Sequence, residues 1–364
     1  SVHAEFFKKL AAFHPRAVGV DIAFLEPTAE DTLLAQSLFS LEGAVIALEA
    51  DVRTGTSGNL IAETIRPPAE SLRAVNAGLA NTPVDEDGIL RAVPLEIRSD
   101  TKKYPALFTA ILQQYYGNED FLTSIPKRAD GSMLINFAGG PGSFAVIPYS
   151  RVLTGEARAE DFAGKIVLVG ATASDLHDEQ LVPTSRGELM PGVEIHANAI
   201  DTVLSRSFLR EQARGQTVLL ILALSLLCGF LFTKLRIFQA IVSALLLGIG
   251  YIIAVIAAFD RGLIMNIFYP LSAIALCFLS VIVVKYIFEG RERRKVRGAL
   301  SQYISKEVVE EVLKQGELKL GGSKKNITVM FSDIRGFTSI SEALWTENLV
   351  ELLNGYLPAV TEVI

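Results

Sequence analysis

An α/β domain over residues 1 to about 210, three membrane-crossing helices over 215–288 and a short C-terminal segment of strand then helix are the architecture this sequence predicts. Three observations carry it. The first part of the chain alternates short apolar, strand-like runs with helix-like ones, the pattern of an α/β sheet domain. Hydrophobic residues make up 50% of the chain and the mean hydropathy is +0.37, high for a protein wholly in water. That excess concentrates in three runs, 215–233, 237–259 and 262–287, which up to Val284 contain no Asp, Glu, Lys or Arg. About 20 apolar residues, at about 1.5 Å rise each, cross a hydrocarbon core. Buried core helices are the alternative, set aside because the three runs sit back to back.

In chain order, "AVGVDIAF" (17–24) reads as a buried strand and "PTAEDTLLAQSLF" (27–39) as a helix opened by Pro27 and an acidic first turn. "GAVIALEA" and "KIVLVGA" are further buried-type strands. "VDEDGILRAVPLEI" predicts a hairpin, with Asp87-Gly88 supplying the positive φ of its turn. "PALFTAILQQYYG" places Leu107, Phe108, Ile111, Leu112 and Tyr115 on one helical face and stops at Gly117.

Polar residues in this region invite several readings. Asp85, Asp87 and Gly88 imitate a calcium loop, but Ile89, Leu90 and Arg91 follow where oxygen ligands are needed, so no calcium site is expected. Asp21 and Glu26 could converge as an acid pair; solvated carboxylates at a strand end are the expectation. His196, in "MPGVEIHANAIDTVL", has no second His or Cys at ligand spacing and reads as a packed, hydrogen-bonded histidine.

Flanking charge orients the three spans. Lys234, Arg236, Lys285, Arg291, Arg293, Arg294, Lys295 and Arg297 on one side outnumber Arg206, Arg210, Arg214 and Arg261 on the other. This favours an exported N-terminal region and a cytoplasmic C-terminus, with the arginines at 206–214 against the trend. Both cysteines, Cys228 and Cys277, fall within the spans, so the exported region holds together without a disulfide. A net charge of −6 argues against nucleic acid as a partner. With no leader visible before Ser1, an upstream membrane helix is expected in the full protein.

The phrases "AVGVDIAFLEP", "DEDGILRAVPL", "GKIVLVGATASDLHDEQLVPT" and "MPGVEIHANAIDTVL", followed at once by three spans, resemble the CHASE domain of the second type. That resemblance covers residues 1 to about 210. It implies an extracytoplasmic sensor of an unidentified ligand, anchored in a bacterial inner membrane, and assigns no ligand-binding residue.

Residues 289–325 form the join. The basic stretch "GRERRKVRG" suits anionic headgroups beside a membrane. "SKEVVEEVL" predicts a short coupling helix capped by Ser305, whose stripe of Val308, Val309, Val312 and Leu313 calls for its copy in a second chain. "LGGSKKN" breaks that helix and lacks the spacing of a phosphate loop.

Residues 326–364 carry the chemistry. "NITVMFSD" alternates as a strand with Asp333 at its end, and "IRGFTSISE" turns into a helix, leaving the N–H groups of Gly336, Phe337 and Thr338 for an anion. Such a carboxylate beside oriented amides suits a Mg²⁺-bound triphosphate; the same spacing equally suits Asp333 as a turn residue and Thr338 as a helix cap. "TENLVELLNGYLPAVTEVI" puts Leu349, Leu352, Leu353, Tyr356 and Leu357 on one stripe, expected to pack as core, with a kink or early end at Pro358.

"ITVMFSDIRGFTSISE" with "LVELLNGYLPAVTEVI" resembles the start of the class III nucleotidyl cyclase domain, an α+β fold of ferredoxin-like type. The resemblance implies that Asp333 is the first of two metal-binding aspartates for Mg²⁺ or Mn²⁺. It also implies that Ile334 lends its carbonyl oxygen and that Gly336, Phe337 and Thr338 cradle the phosphates of ATP. The reaction would be ATP to cyclic AMP and pyrophosphate, in a homodimer, because cyclase sites of this family form between two chains. The second aspartate is not among residues 334–364, whose only acids are Glu342, Glu347, Glu351 and Glu362, so the chain by itself is expected to be inactive. A guanylate cyclase and a non-catalytic sensor with a cyclase-like tail stand as alternatives. A histidine kinase does not, since no histidine follows His196.

Overall fold

The computed structural model describes residues 1–55, 60–99, 102–173, 178–300, 326 and 328–363, in two units, Ser1–Ile287 and Phe288–Ile364. The first unit is built on a mixed sheet. Helix α1 (Val2–Ala11) leads to β1 (Ala17–Asp21), α2 (Asp31–Phe39), β2 (Ala44–Thr54), β3 (Leu60–Arg66) and β4 (Asn76–Leu79). Then come β5 (Ala92–Pro94), β6 (Glu96–Arg98), β7 (Lys103–Pro105), α3 (Leu107–Tyr116), β8 (Ser132–Leu134), α4 (Tyr149–Thr154) and β9 (Ile166–Gly170). The main sheet runs β7-β6-β3-β2-β1-β9, with β4 also on β2. Strands β4, β2, β1 and β9 pair in parallel, β2 and β3 antiparallel.

Strand alternation sorts the parallel strands onto two cores. Val18, Val20 and Ile46 face Phe6, Phe7, Leu10, Leu34 and Leu38 of α1 and α2. Ala17, Val45 and Ala47 face Phe108, Ile111 and Leu112 of α3. Covering both faces is what makes these strands apolar throughout rather than alternating with polar residues. Helix α3 lies flush on the sheet because the strands beneath it offer glycine. A Cβ at Gly19 would stand 2.2 Å from Ile111 Cδ1, and one at Gly78 would stand 2.7 Å from Leu107 Cα. The second obstacle is backbone and cannot rotate away. Gly78→Ala is therefore expected to cost about 2–3 kcal/mol, read as a lowered urea midpoint; an unchanged midpoint would mean α3 can lift without loss.

Several expectations are corrected here. Helix α2 starts at Asp31, not Pro27: the Thr28 N–H and hydroxyl both donate to the Asp31 carboxylate, which closes a turn ahead of the helix. The Asp87-Gly88 turn forms, with Gly88 at φ 77°, but its arms do not make a hairpin. Strand β5 pairs instead with β8, antiparallel. Asp85 and Asp87 are both engaged by Arg91, at 2.8 and 2.7 Å, and the hydrogen bonds Asp87 accepts from Arg91 and then from Ile89 N hold it down to about 2. Helix α3 ends as expected at Gly117, φ 71°.

After β9 the chain forms β10 (Glu179–Gln180), β11 (Met190–Pro191), α5 (Gly192–Leu204) and β12 (Arg210–Glu211). Three helices long and apolar enough to cross a membrane follow: α6 (Arg214–Lys234), α7 (Ile237–Phe259) and the Phe268–Phe288 part of α8 (Phe268–Leu300). Cys228, Phe232, Ala240 and Ile274 form their shared core. Lys285 of α8 donates to the carbonyls of Phe232 and Leu235 at 2.8 and 2.6 Å, a cation on the open C-terminal end of α6. The third helix begins at Phe268, not at residue 262. Residues Leu263–Ile264 form β13 and pair with β12 in parallel, and Gly262 turns the chain at φ 79°. That pairing withdraws the segment from the helix its apolar composition suggests.

The second unit takes in the end of α8 and, further on, α9 (Phe337–Ala343) and α10 (Thr346–Val363). The strand expected over 326–333 is not formed among the described residues, and Phe331 is 93% exposed. Alternation states which face a strand would bury, but a strand needs a ladder partner to exist. For the same reason the α10 stripe is not core: Leu352, Tyr356 and Leu357 are exposed. Helix α10 also runs through Pro358 without ending; one N–H is lost and the helix continues, Thr361 Oγ1 donating to the Leu357 carbonyl at 2.8 Å. The coupling helix and its Val308 stripe lie outside the described residues.

Candidate functional site

In a parallel sheet, ligands bind beyond the carboxyl ends of strands where successive connections leave to opposite sides. Here the chain goes from β1 to β2 and β4 on one side and returns to β9 on the other, so that place lies between the ends of β1 and β9. Asp21 and Gly170 are register partners there. A Cβ on Gly170 would meet Val193 Cβ at 2.6 Å and Asp21 Cβ at 3.2 Å, so the first turn of α5 closes directly over the strand ends. Asp178 completes the group. Its carbonyl accepts from Gly192 N at 2.8 Å, and its carboxylate lies where a Cβ on Gly192 would stand, 2.6 Å from Oδ2.

Two carboxyls in this position hold their protons unusually well. Loss of hydration, and then the charge of Asp178, pushes Asp21 up to about 7. Burial raises Asp178 as well, followed by the negative charges of Glu179 and Glu49. The expectation of solvated strand-end carboxylates is thus corrected for Asp21, whose neighbour is Asp178; Glu26 is exposed. Among the described residues no three His, Cys, Asp or Glu side chains converge as a metal site. What this crevice can do chemically is exchange a proton near neutral pH.

Helix α5 secures the crevice from behind through a polar row spaced by four. Glu194 accepts from the N–H groups of Gly142 and Ser143 at 3.0 and 2.9 Å. Asn198 accepts from Ala138 N at 2.9 Å, and Thr202 from Asn136 N at 3.1 Å. These bonds strap residues 136–143 along the helix. The row is visible in "EIHANAIDT", yet a polar stripe on a helix ordinarily faces water, which is why sequence reasoning passed over it. His196, on the neighbouring face, is 2% exposed. Burial lowers it to about 4 although a ring N–H donates to the Ala80 carbonyl, and its Nδ1 has no partner among the described residues.

The residues expected to bind metal and nucleotide lie in the second unit. Asp333 is exposed in a stretch without regular secondary structure, and Gly336, φ 75°, turns the chain into α9. The Ile334 carbonyl accepts from Phe337 N at 3.1 Å, so both groups are already engaged in the turn. Thr338 provides no side-chain cap for α9. Mg²⁺ takes six oxygens, commonly one or two from carboxylates and the rest from water and nucleotide phosphates, so Asp333 is of the right kind but would supply only part of the shell.

Compared with known proteins, residues 1–231 match the CHASE2 domain family, a span that takes in the sheet, the crevice and most of α6. No curated protein and no solved structure matches the chain.

Proposed function

The chain belongs to the CHASE2 domain family, and on that premise we propose a membrane receptor whose exported sensor domain governs a cytoplasmic nucleotide cyclase. The sensor domain and three helices able to cross a membrane support the receptor part. The excess of Lys and Arg at the α6–α7 turn and after α8 supports export of residues 1–213 and a cytoplasmic second unit, and the resemblance to the CHASE domain of the second type supports a bacterial inner-membrane location. Phosphatase fusions after Asp260 are expected to be active and fusions after Lys234 or Gly298 silent; the reverse pattern would overturn this orientation.

The cyclase part rests on one observation, the run "TVMFSDIRGFTS" with its glycine turn between Asp333 and α9. In this reading the substrate is ATP, the products are cyclic AMP and pyrophosphate, and two chains associate to form the site. Asp333 is one of a pair of carboxylates for Mg²⁺ or Mn²⁺, and Gly336 to Thr338 face the phosphates. The sensed ligand is left open. Assay of the full gene product in membranes, with ATP and with GTP, tests it: production of cyclic AMP supports the reading, cyclic GMP the guanylate form. A second reading, a non-catalytic sensor with a cyclase-like tail, is favoured by the stretch at 328–333, which is exposed and pairs with no strand among the described residues. No cyclic nucleotide from either substrate would select it.

A further inference from the structure

Three arginines, Arg206, Arg210 and Arg214, stand on the side of the membrane where basic residues are normally scarce, and neither sensing nor catalysis accounts for them. Two of them line a cleft of about 1010 Å³ between the loop at residues 123–130 and the segment 209–214 that enters α6. Lys127, Arg128, Arg210 and Arg214 contribute its cations, Asp130 and Glu211 its acids. Both acids are engaged: Glu211 pairs with Arg128 at 3.3 Å, and Asp130 accepts from the Ser132 N–H and hydroxyl at 2.9 and 2.6 Å. Lys127, Arg210 and Arg214 make no ion pair among the described residues, so the cleft carries surplus positive charge.

Its height is set by the fold. Arg210 and Glu211 pair with Leu263 and Ile264, which lie in the turn joining α7 to α8. Arg214 is itself the first residue of the first span. The cleft therefore opens at the level where the spanning helices meet water. Gln212, on its wall, has a buried side-chain carbonyl oxygen with no donor among the described residues. A buried acceptor of this kind is met by a donor from outside the chain, an ordered water or a ligand group.

We propose that this cleft binds the headgroup of an anionic glycerophospholipid in the outward-facing leaflet. The phosphate would lie against Arg210, Arg214 and Lys127. Arginine suits the phosphate because its planar fork meets two oxygens at once. Occupancy would tie the sensor domain to the membrane at the point where β12 passes into α6. The inference rests on the membrane reading above, so its test first establishes insertion.

The full chain is reconstituted in nanodiscs of phosphatidylcholine containing a minor fraction of phosphatidylglycerol. It is then released gently and weighed with its retained lipids by native mass spectrometry. The wild type is expected to keep phosphatidylglycerol in preference to phosphatidylcholine. Arg210→Gln with Arg214→Gln should lower that preference at least about tenfold, from the typical worth of a basic residue at a lipid surface. Arg206→Gln, whose side chain lies off the cleft, should leave it unchanged, and Lys127→Gln gives a milder loss should the double variant fail to insert. Equal retention of both lipids, a double variant that binds as wild type, or displacement by soluble glycerol phosphate would each overturn the proposal. A chain that carbonate strips from membranes would overturn the membrane reading along with it.

Discussion

Replacing Asp21 by Asn is expected to stabilise the sensor domain by up to about 4 kcal/mol at about pH 8, at about 1.4 kcal/mol per pH unit of raised pKa, and to change it little near pH 4. The sign follows from where the proton sits. Unfolded, Asp21 ionises at its ordinary 3.8; folded, it keeps its proton to about 7. Between those values the native state holds a proton that the unfolded chain has released, so stability falls as pH rises through the window. Above it, the folded protein carries an ionised carboxylate that is poorly hydrated and lies beside Asp178. Asparagine has the same shape and no charge to bury. His196 runs the other way, since its folded value of about 4 lies below the ordinary 6.5 and stability is lost as pH falls through that range. Because His196 is present in both proteins, the difference between variant and wild type isolates Asp21. Urea midpoints from pulse proteolysis of the full chain in detergent, taken across this pH range, provide the measurement. A shift that is the same at both ends would mean that Asp21 is hydrated in the folded protein.

Asp333→Ala in the full gene product should abolish Mn²⁺-dependent cyclisation, a loss of several orders of magnitude, while membrane insertion and the urea midpoint of the sensor domain stay as they were. The second expectation follows from the structure: Asp333 is exposed, lies in the second unit and belongs to none of the cores described above. An exposed aspartate outside a helix contributes little to stability, so its removal ought to be silent unless it acts on a ligand. Asp333→Glu, which keeps the charge and moves it by one methylene, should retain a small activity. Retained full turnover in the alanine variant would remove Asp333 from the catalytic machinery.

Some of this protein is written locally. The three spans are legible because an apolar helix satisfies its own backbone and needs only length and composition. Helix α3 is equally legible, since one amphipathic stripe and one glycine stop are contained in "PALFTAILQQYYG". Family membership was legible from the order of short phrases, and the match over residues 1–231 agrees.

What depended on distant partners was not legible. Asp21 looked like a solvated strand end because Gly170, Asp178 and Val193, which close over it, come from the far side of the domain. The strand predicted at 326–333 had the right alternation, yet no described strand pairs with it. Leu263 and Ile264 had the composition of a span and became β13 because Arg210 and Glu211 offered a ladder. Sequence by itself determined where apolar surface and helical turns fall, since those depend on residues within a few positions. Only the tertiary structure decided which carboxylates lose water and which strands exist, because hydration and sheet pairing are set by neighbours that the chain brings together from afar.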